Sequence, residues 1–161
     1  MQTSNPYEIS TDKRRLNVDL IYDFLRSAYW SQNIPRSVVE RCVQHSLCFG
    51  AFCSGQQVGF GRVITDFATF GYIADLFVVP EHRGRGVSKL LLRAMLEHPD
   101  SLGLRRILLA TQDAHRLYAQ FGFQPLAHAE HYMTIHRPDI YRSKTGEGGE
   151  TDAPRTKHVA T

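Results

Sequence analysis

Leu47 to Val79 is the most apolar part of the chain, and two polar breaks divide it into three runs. Leu47–Cys53 and Gln57–Thr65 carry β-favouring residues on either side of Ser54-Gly55-Gln56, which predicts a strand, a turn and a strand. Asp66 to Gly71 predicts a second turn. Tyr72–Val79 then reads as a strand whose nearly continuous apolar residues need cover on both faces. Connections this short make three consecutive antiparallel strands. The period changes after that. From Val87 to His98, Leu90, Leu91, Ala94 and Met95 recur at helical spacing, Pro99-Asp100 stops the helix, and Arg106–Thr111 is again a buried strand. A strand, a helix and a strand in this length predict a right-handed βαβ crossover, which sets Tyr72–Val79 and Arg106–Thr111 parallel.

Weaker patterns flank this centre. A short strand is expected at Tyr7–Thr11, an amphipathic helix over Asp19–Leu25 capped by Asn17 or Asp19, and a second helix at Ser37–His45. A short helix at Asp113–Phe121 and strands at Gln124–Ala127 and His131–His136 complete the series. The expected fold class is α/β (α+β): a mixed, mostly antiparallel central sheet with a βαβ crossover and helices on both faces.

Length and composition narrow the class. The 161 residues suit one domain, assigned to residues 1–142, followed by a polar, aromatic-free stretch at 143–161 that reads as a flexible tail. No apolar run reaches the ~20 residues that span a bilayer. The start, Met1 to Pro6, lacks the basic and apolar stretches of a secretory signal, so a cytoplasmic location is expected. Cys42, Cys48 and Cys53 lack the paired spacing of a zinc site and read as core thiols, with no metal expected. The net charge of +3 raises nucleic acid as a partner. However, Lys13-Arg14-Arg15, Arg83/Arg85/Lys89 and Arg105-Arg106 sit at element boundaries instead of along one face, which argues against it.

The chemistry concentrates at the strand-to-helix junction Arg83-Gly84-Arg85-Gly86-Val87-Ser88. A helix start presents backbone N–H groups without intrahelical partners at the positive end of the macrodipole, and glycines let a ligand approach them. Arg83, Arg85 and Lys89 add charge that suits a phosphate or pyrophosphate. The plainer alternative is a tight turn with solvated arginines. A P-loop is absent, and the third glycine of a dinucleotide fingerprint is replaced by Lys89.

Following an apolar strand and opening a helix, Arg83-Gly84-Arg85-Gly86-Val87-Ser88 resembles the pyrophosphate motif of the GNAT superfamily of acyl-CoA-dependent N-acetyltransferases, Gln/Arg-x-x-Gly-x-Gly/Ala. Ser88 departs from its usual last residue. Downstream, Ala114-His115-Arg116-Leu117-Tyr118-Ala119-Gln120-Phe121-Gly122-Phe123 looks like the family's Ala-x-x-Leu-Tyr-x-x-x-Gly-Phe, and the order of elements from Tyr7 to Arg142 follows the family as well. The resemblance implies transfer of an acetyl group from acetyl-CoA to a primary amine of a small molecule, a peptide or a protein, by direct attack in a ternary complex. It places pyrophosphate on Arg83, Gly84, Arg85, Gly86, Val87 and Ser88. Pantetheine would run beside Phe77, Val78 and Val79, with contacts from Ala114 and from Thr111, which stands where the family often has asparagine. An amide near Leu76 or Phe77 would polarise the thioester carbonyl.

Tyr118 takes the place of the family's general acid. A reference phenol pKa of about 10 lies above the ~8.5 of a thiol, so hydrogen bonding to the departing thiolate is the implied role. Outside the motif, a tyrosine on the apolar face of a short helix would be a core residue. Homodimerisation is a family-level expectation that no residue pattern carries. Two rival readings remain at this point, a non-catalytic acyl-CoA sensor and a nucleic-acid-binding module.

Asp75 is the only charge inside Tyr72–Val79, so it is expected to be paired, functional or both. It is a candidate base for the acceptor amine and equally a candidate partner of Arg62, which a turn centred near residues 68 and 69 would set opposite it. The acceptor side falls to the loops around Tyr29–Pro35, Asp66–Gly71 and Arg137–Arg142, with Tyr29, Trp30 and Phe70 as candidate contacts. His115, His128 and His131 read as exposed loop or capping residues.

Overall fold

The hydrophobic runs of the middle of the chain form adjacent strands in the computed structural model, which describes residues 5–142. Strands β1 (Tyr7–Ser10), β2 (Leu47–Cys53), β3 (Gln56–Thr65), β4 (Phe70–Val78) and β5 (Arg106–Leu108) lie side by side in sequence order. The first three pairings are antiparallel and β4–β5 is parallel, so the sheet is mixed as expected. Helices α1 (Val18–Leu25) and α2 (Arg36–Gln44) cover one face, and α3 (Val87–Glu97) covers the other. Two short helices follow, α4 (Pro99–Leu102) and α5 (His115–Ala119).

Alternation along β2 shows why its sequence is apolar throughout. Cys48 and Phe52 enter a layer with Ile21, Leu25, Val39 and Phe60, while Phe49 and Ala51 enter one with Leu91, Leu92 and Met95. α1 starts at Asn17, whose Oδ1 accepts the N–H of Leu20 at 3.1 Å, and Asp19 occupies the first turn, where its charge suits the helix dipole. Among the described residues no helix is long and apolar enough to cross a membrane. All three cysteines are free; Cys48 is buried, and that burial pushes its thiol up to about 11.

The β3–β4 turn is organised by Asp66. Its Oδ1 accepts the N–H groups of Ala68, Thr69 and Phe70 at 3.0, 2.8 and 3.0 Å, and its Oδ2 accepts the Thr69 hydroxyl at 2.7 Å. These donors hold its carboxyl well below the usual carboxylate range. A depressed folded-state pKa contributes stability above the unfolded value near 4, lost as pH falls through the folded value. Asp66→Ala is therefore expected to melt below the wild type, by a difference that is constant from pH 7 to about 4 and shrinks at lower pH.

The C-terminal third departs from expectation. β5 ends at Leu108 instead of Thr111, because the Thr111 hydroxyl accepts the Ala114 N–H at 3.0 Å and turns the chain into α5, which is shorter than the predicted 113–121. Pro99-Asp100 opens α4 where the sequence suggested a simple stop. No strand forms at Gln124–Ala127 or His131–His136. Pro125 removes a ladder donor from the first segment. In the second, His128 at φ 56° leads into a tight turn over Ala129–His131, and Met133 and Ile135 beyond it are 98% and 89% exposed. Among the described residues β5 thus remains the sheet edge. The expected tail, 143–161, lies outside the described residues.

Candidate active site

The parallel strands β4 and β5 are paired only from Phe70↔Arg106 to Tyr72↔Leu108. Beyond that point β4 continues for six residues while the other chain swings toward α5, and two cavities open in and above the cleft between them. A bulge bends β4 at the same place. The β3–β4 register passes from Phe60↔Phe77 to Arg62↔Ala74, so that Gly61 alone faces both Asp75 and Leu76, and Asp75 takes a left-handed φ of 56°.

The first cavity, about 390 Å³, lies between the end of β4, the start of α3 and α5. Phe77, Val78, Arg83, Gly84, Val87 and Ser88 line it, and Ala114 and Tyr118 close it from α5. Gly84 and Gly86 hold φ of 71° and 81°, and a Cβ at either would meet no atom within 4 Å, so both the left-handed turn and the open space above it belong to this sequence. Gly86 caps α3 without any side chain, and the first intrahelical bond runs from the Leu90 N–H to the Gly86 carbonyl. The N–H groups of Val87, Ser88 and Lys89 therefore face outward at the positive helix end, with no acidic residue in the first turn. Arg83 has a structural duty as well: its Nε donates to the Val78 carbonyl at 2.9 Å.

The strand edge is selective about what it offers. The Val79 N–H donates to the Val58 carbonyl at 2.9 Å, and Val79 lines neither cavity, so this sequence-predicted contact is turned toward β3. Alternation sends the N–H of Val78, and two residues back that of Leu76, toward the open side. Leu76 lines both cavities, whereas Phe77 lines only the first. Arg85 and Gly86 are not part of the cavity wall; Gly86 acts through the cap and Arg85 is exposed beside it.

The second cavity, about 400 Å³, occupies the cleft itself. Tyr29, Trp30, Asp75 and Tyr118 line it, as does Thr111, which places that residue away from the α3 cradle. Phe70 is at the far end of β4 and takes no part. Asp75 is fully engaged. Its Oδ1 accepts the Trp30 indole N–H at 3.0 Å and its Oδ2 accepts Arg62 Nε at 2.6 Å, while another Arg62 nitrogen donates to Ser46 Oγ at 2.9 Å. The ion pair expected from the sequence forms, with side chains 12% and 8% exposed, although Arg62 registers with Ala74 and the bulge brings Asp75 back to it.

Tyr118 borders both cavities. The Gly-Phe that ends its motif positions it: the Phe123 N–H donates to the Tyr118 carbonyl at 3.3 Å, and the two rings meet edge to face at 5.8 Å. Burial, with added repulsion from Tyr29, Asp113 and Tyr72, pushes the phenol above its ordinary 10, so it carries its proton at neutral pH.

Several contributors were not singled out in the sequence. Phe24 of α1 stacks on Phe77 at 3.9 Å and lines the first cavity; nothing local to Phe24 announces this long-range contact. His82 also lines it and is held by the Tyr7 hydroxyl, 3.0 Å from Nδ1. Asp113 borders both cavities, and Tyr72 the second. His115 does not line either one. His128 and His131 stack at 5.0 Å on the surface and share Glu130 as a neighbour, a grouping apart from the cleft.

Comparison with known proteins agrees with this fold. A crystal structure from Xanthomonas campestris pv. campestris, provisionally assigned to the acetyltransferases of the GNAT family, superposes with a TM-score of 0.83 at 48% identity, over 85% of this chain and 97% of that one. A Gibberella zeae protein provisionally named an acetyltransferase is 32% identical over 139 residues, 73% of this chain and 78% of its own. A Clostridium acetobutylicum structure solved with acetyl-CoA shares the fold, with a TM-score of 0.59 at 15% identity over 81% of this chain and 94% of that one. The model of the acetyltransferase (GNAT) family matches residues 15–123, a span that holds the bulged β4, the glycine turn and the Tyr118 motif alike, and the chain belongs to that family.

Proposed function

We propose that this acetyltransferase binds acetyl-CoA in the first cavity and a primary amine in the second, and joins them by direct attack in a ternary complex. The observation that carries the reading is the shared wall: Trp30, Leu76 and Tyr118 border both cavities, so a thioester reaching that wall from one side would meet an amine from the other. Pyrophosphate would rest on the free N–H groups of α3 with Arg83, Arg85 and Lys89 nearby. The amine enters the step unprotonated. Its lone pair forms the C–N bond at the carbonyl carbon, the Leu76 amide stabilises the oxyanion, and collapse breaks the C–S bond. The Tyr118 hydroxyl donates a hydrogen bond to the developing thiolate, and the surplus proton on nitrogen ends on the thiol. Amine and acetyl-CoA become amide and CoA.

Ser88→Glu tests the donor half. A carboxylate in the first turn of α3 suits the helix dipole, so the variant should fold at least as stably as the wild type. The same carboxylate would repel pyrophosphate, and acetyl-CoA affinity measured by calorimetry should fall by at least about tenfold. Unchanged affinity in the stable variant would remove the cradle from the binding site.

A further inference from the structure

The second cavity has a one-sided chemistry. Among the described residues, four aromatic rings, Tyr29, Trp30, Tyr72 and Tyr118, line it, and no Arg, Lys or His does. Tyr29 stands edge-on to Trp30 with ring centres 5.0 Å apart. Two carboxylates border the space, and they differ in what they have left to give. Asp75 is neutralised by Arg62 and hydrogen-bonded by Trp30. Asp113 is exposed at the mouth, near enough to Tyr118 for its charge to bear on the phenol.

A phosphate or carboxylate on the acceptor would enter this space with no cation among the described lining residues to meet it and with Asp113 opposing it. A second ammonium group would meet aromatic rings and the exposed Asp113 carboxylate, surroundings that suit a cation. We propose that the acceptor is a small di- or polyamine, which presents one neutral nitrogen to the thioester while a second, charged nitrogen is held by Asp113 and the Tyr29–Trp30–Tyr72 rings. This rests on the proposed function above, in which the second cavity is the acceptor site.

At about 400 Å³ the cavity has room for an aliphatic diamine or triamine. The reacting nitrogen must shed its proton, and a neighbouring ammonium on the same molecule lowers the pKa of the first through like-charge repulsion. A diamine therefore supplies part of its own activation.

The test is thiol release from acetyl-CoA by the full chain with 1,4-diaminobutane, spermidine, glucosamine 6-phosphate and glutamate as acceptors, beside a melting curve with acetyl-CoA alone. Stabilisation by acetyl-CoA together with a kcat/KM for the polyamines at least tenfold above that for the acid-bearing amines is the expected result. In Asp113→Asn, KM for 1,4-diaminobutane should rise about fivefold with kcat nearly unchanged, the size of one exposed charge contact. Asp113→Lys should reduce the preference further by favouring the phosphate-bearing amine. Stabilisation by acetyl-CoA with equal or better use of the acid-bearing amines, with no polyamine turnover, or with an unmoved KM in Asp113→Asn, overturns the polyamine assignment alone. Absence of stabilisation by acetyl-CoA would instead overturn the ternary-complex reading beneath it.

Discussion

Replacing Tyr118 with phenylalanine is expected to lower kcat by about a hundredfold while acetyl-CoA affinity stays within about twofold of the wild type. The ring remains, so the edge-to-face contact with Phe123 and the packing of α5 survive. Only the hydroxyl is lost, and its proposed partner, the thiolate, exists only as the C–S bond breaks. Steady-state rates paired with calorimetric titration of acetyl-CoA separate the two quantities. The pH profile gives a second readout. Because burial raises the phenol above 10, the proton-donating form persists across the neutral range and is lost only as pH rises beyond 10. An acid-side limb belongs to the amine and should remain in Tyr118→Phe, whereas a loss of rate above pH 10 due to the phenol should disappear. Equal kcat in the two proteins would make Tyr118 a packing residue.

Asp75→Ala is expected to cost about 3–5 kcal/mol of folding stability, because it leaves the Arg62 guanidinium, 12% exposed, without its partner. The alanine must also occupy a left-handed backbone position, which carries a further penalty. Asp75→Asn is the informative companion. Asparagine tolerates the left-handed region, and its amide oxygen can accept the Trp30 indole N–H, so the bulge and the Trp30 contact should persist, while the lost charge and the amide NH2 facing Arg62 still lower stability. Each carboxylate oxygen of Asp75 holds one donor, which supports a role in positioning Trp30 and the cavity wall. With the fold retained, Asp75→Asn should keep kcat within about tenfold. A loss of a hundredfold or more in a stable Asp75→Asn protein would return Asp75 to the role of general base.

What the sequence made legible was local. The Ser54-Gly55 turn, the crossover from β4 through α3 to β5, and the glycine turn at 84 and 86 follow from periodicity and from residues adjacent in the chain. The Arg62–Asp75 pair was visible even though its register was off, since a lone buried carboxylate requires a nearby cation whatever bulge delivers it. Long-range partners were not visible: no pattern joins Phe24 to Phe77 or Trp30 to Asp75, and these contacts shape the wall between the cavities. The direction of the Val79 N–H, toward Val58 and away from the cleft, is not legible in the sequence, because strand alternation there depends on the register beyond the bulge at Asp75 and Leu76. After Gly122 the strands expected at Gln124–Ala127 and His131–His136 do not form; Pro125 is a visible warning against the first, whereas the left-handed turn at His128 has no local signal.

The most direct test of a donor site at the start of α3 is equilibrium denaturation of the full chain in increasing acetyl-CoA. Ligand that binds only the folded state should raise stability by about 2.7 kcal/mol at one hundred times its dissociation constant and continue upward logarithmically. A denaturation midpoint that stays fixed at millimolar acetyl-CoA would contradict the assignment of the first cavity to the acetyl donor.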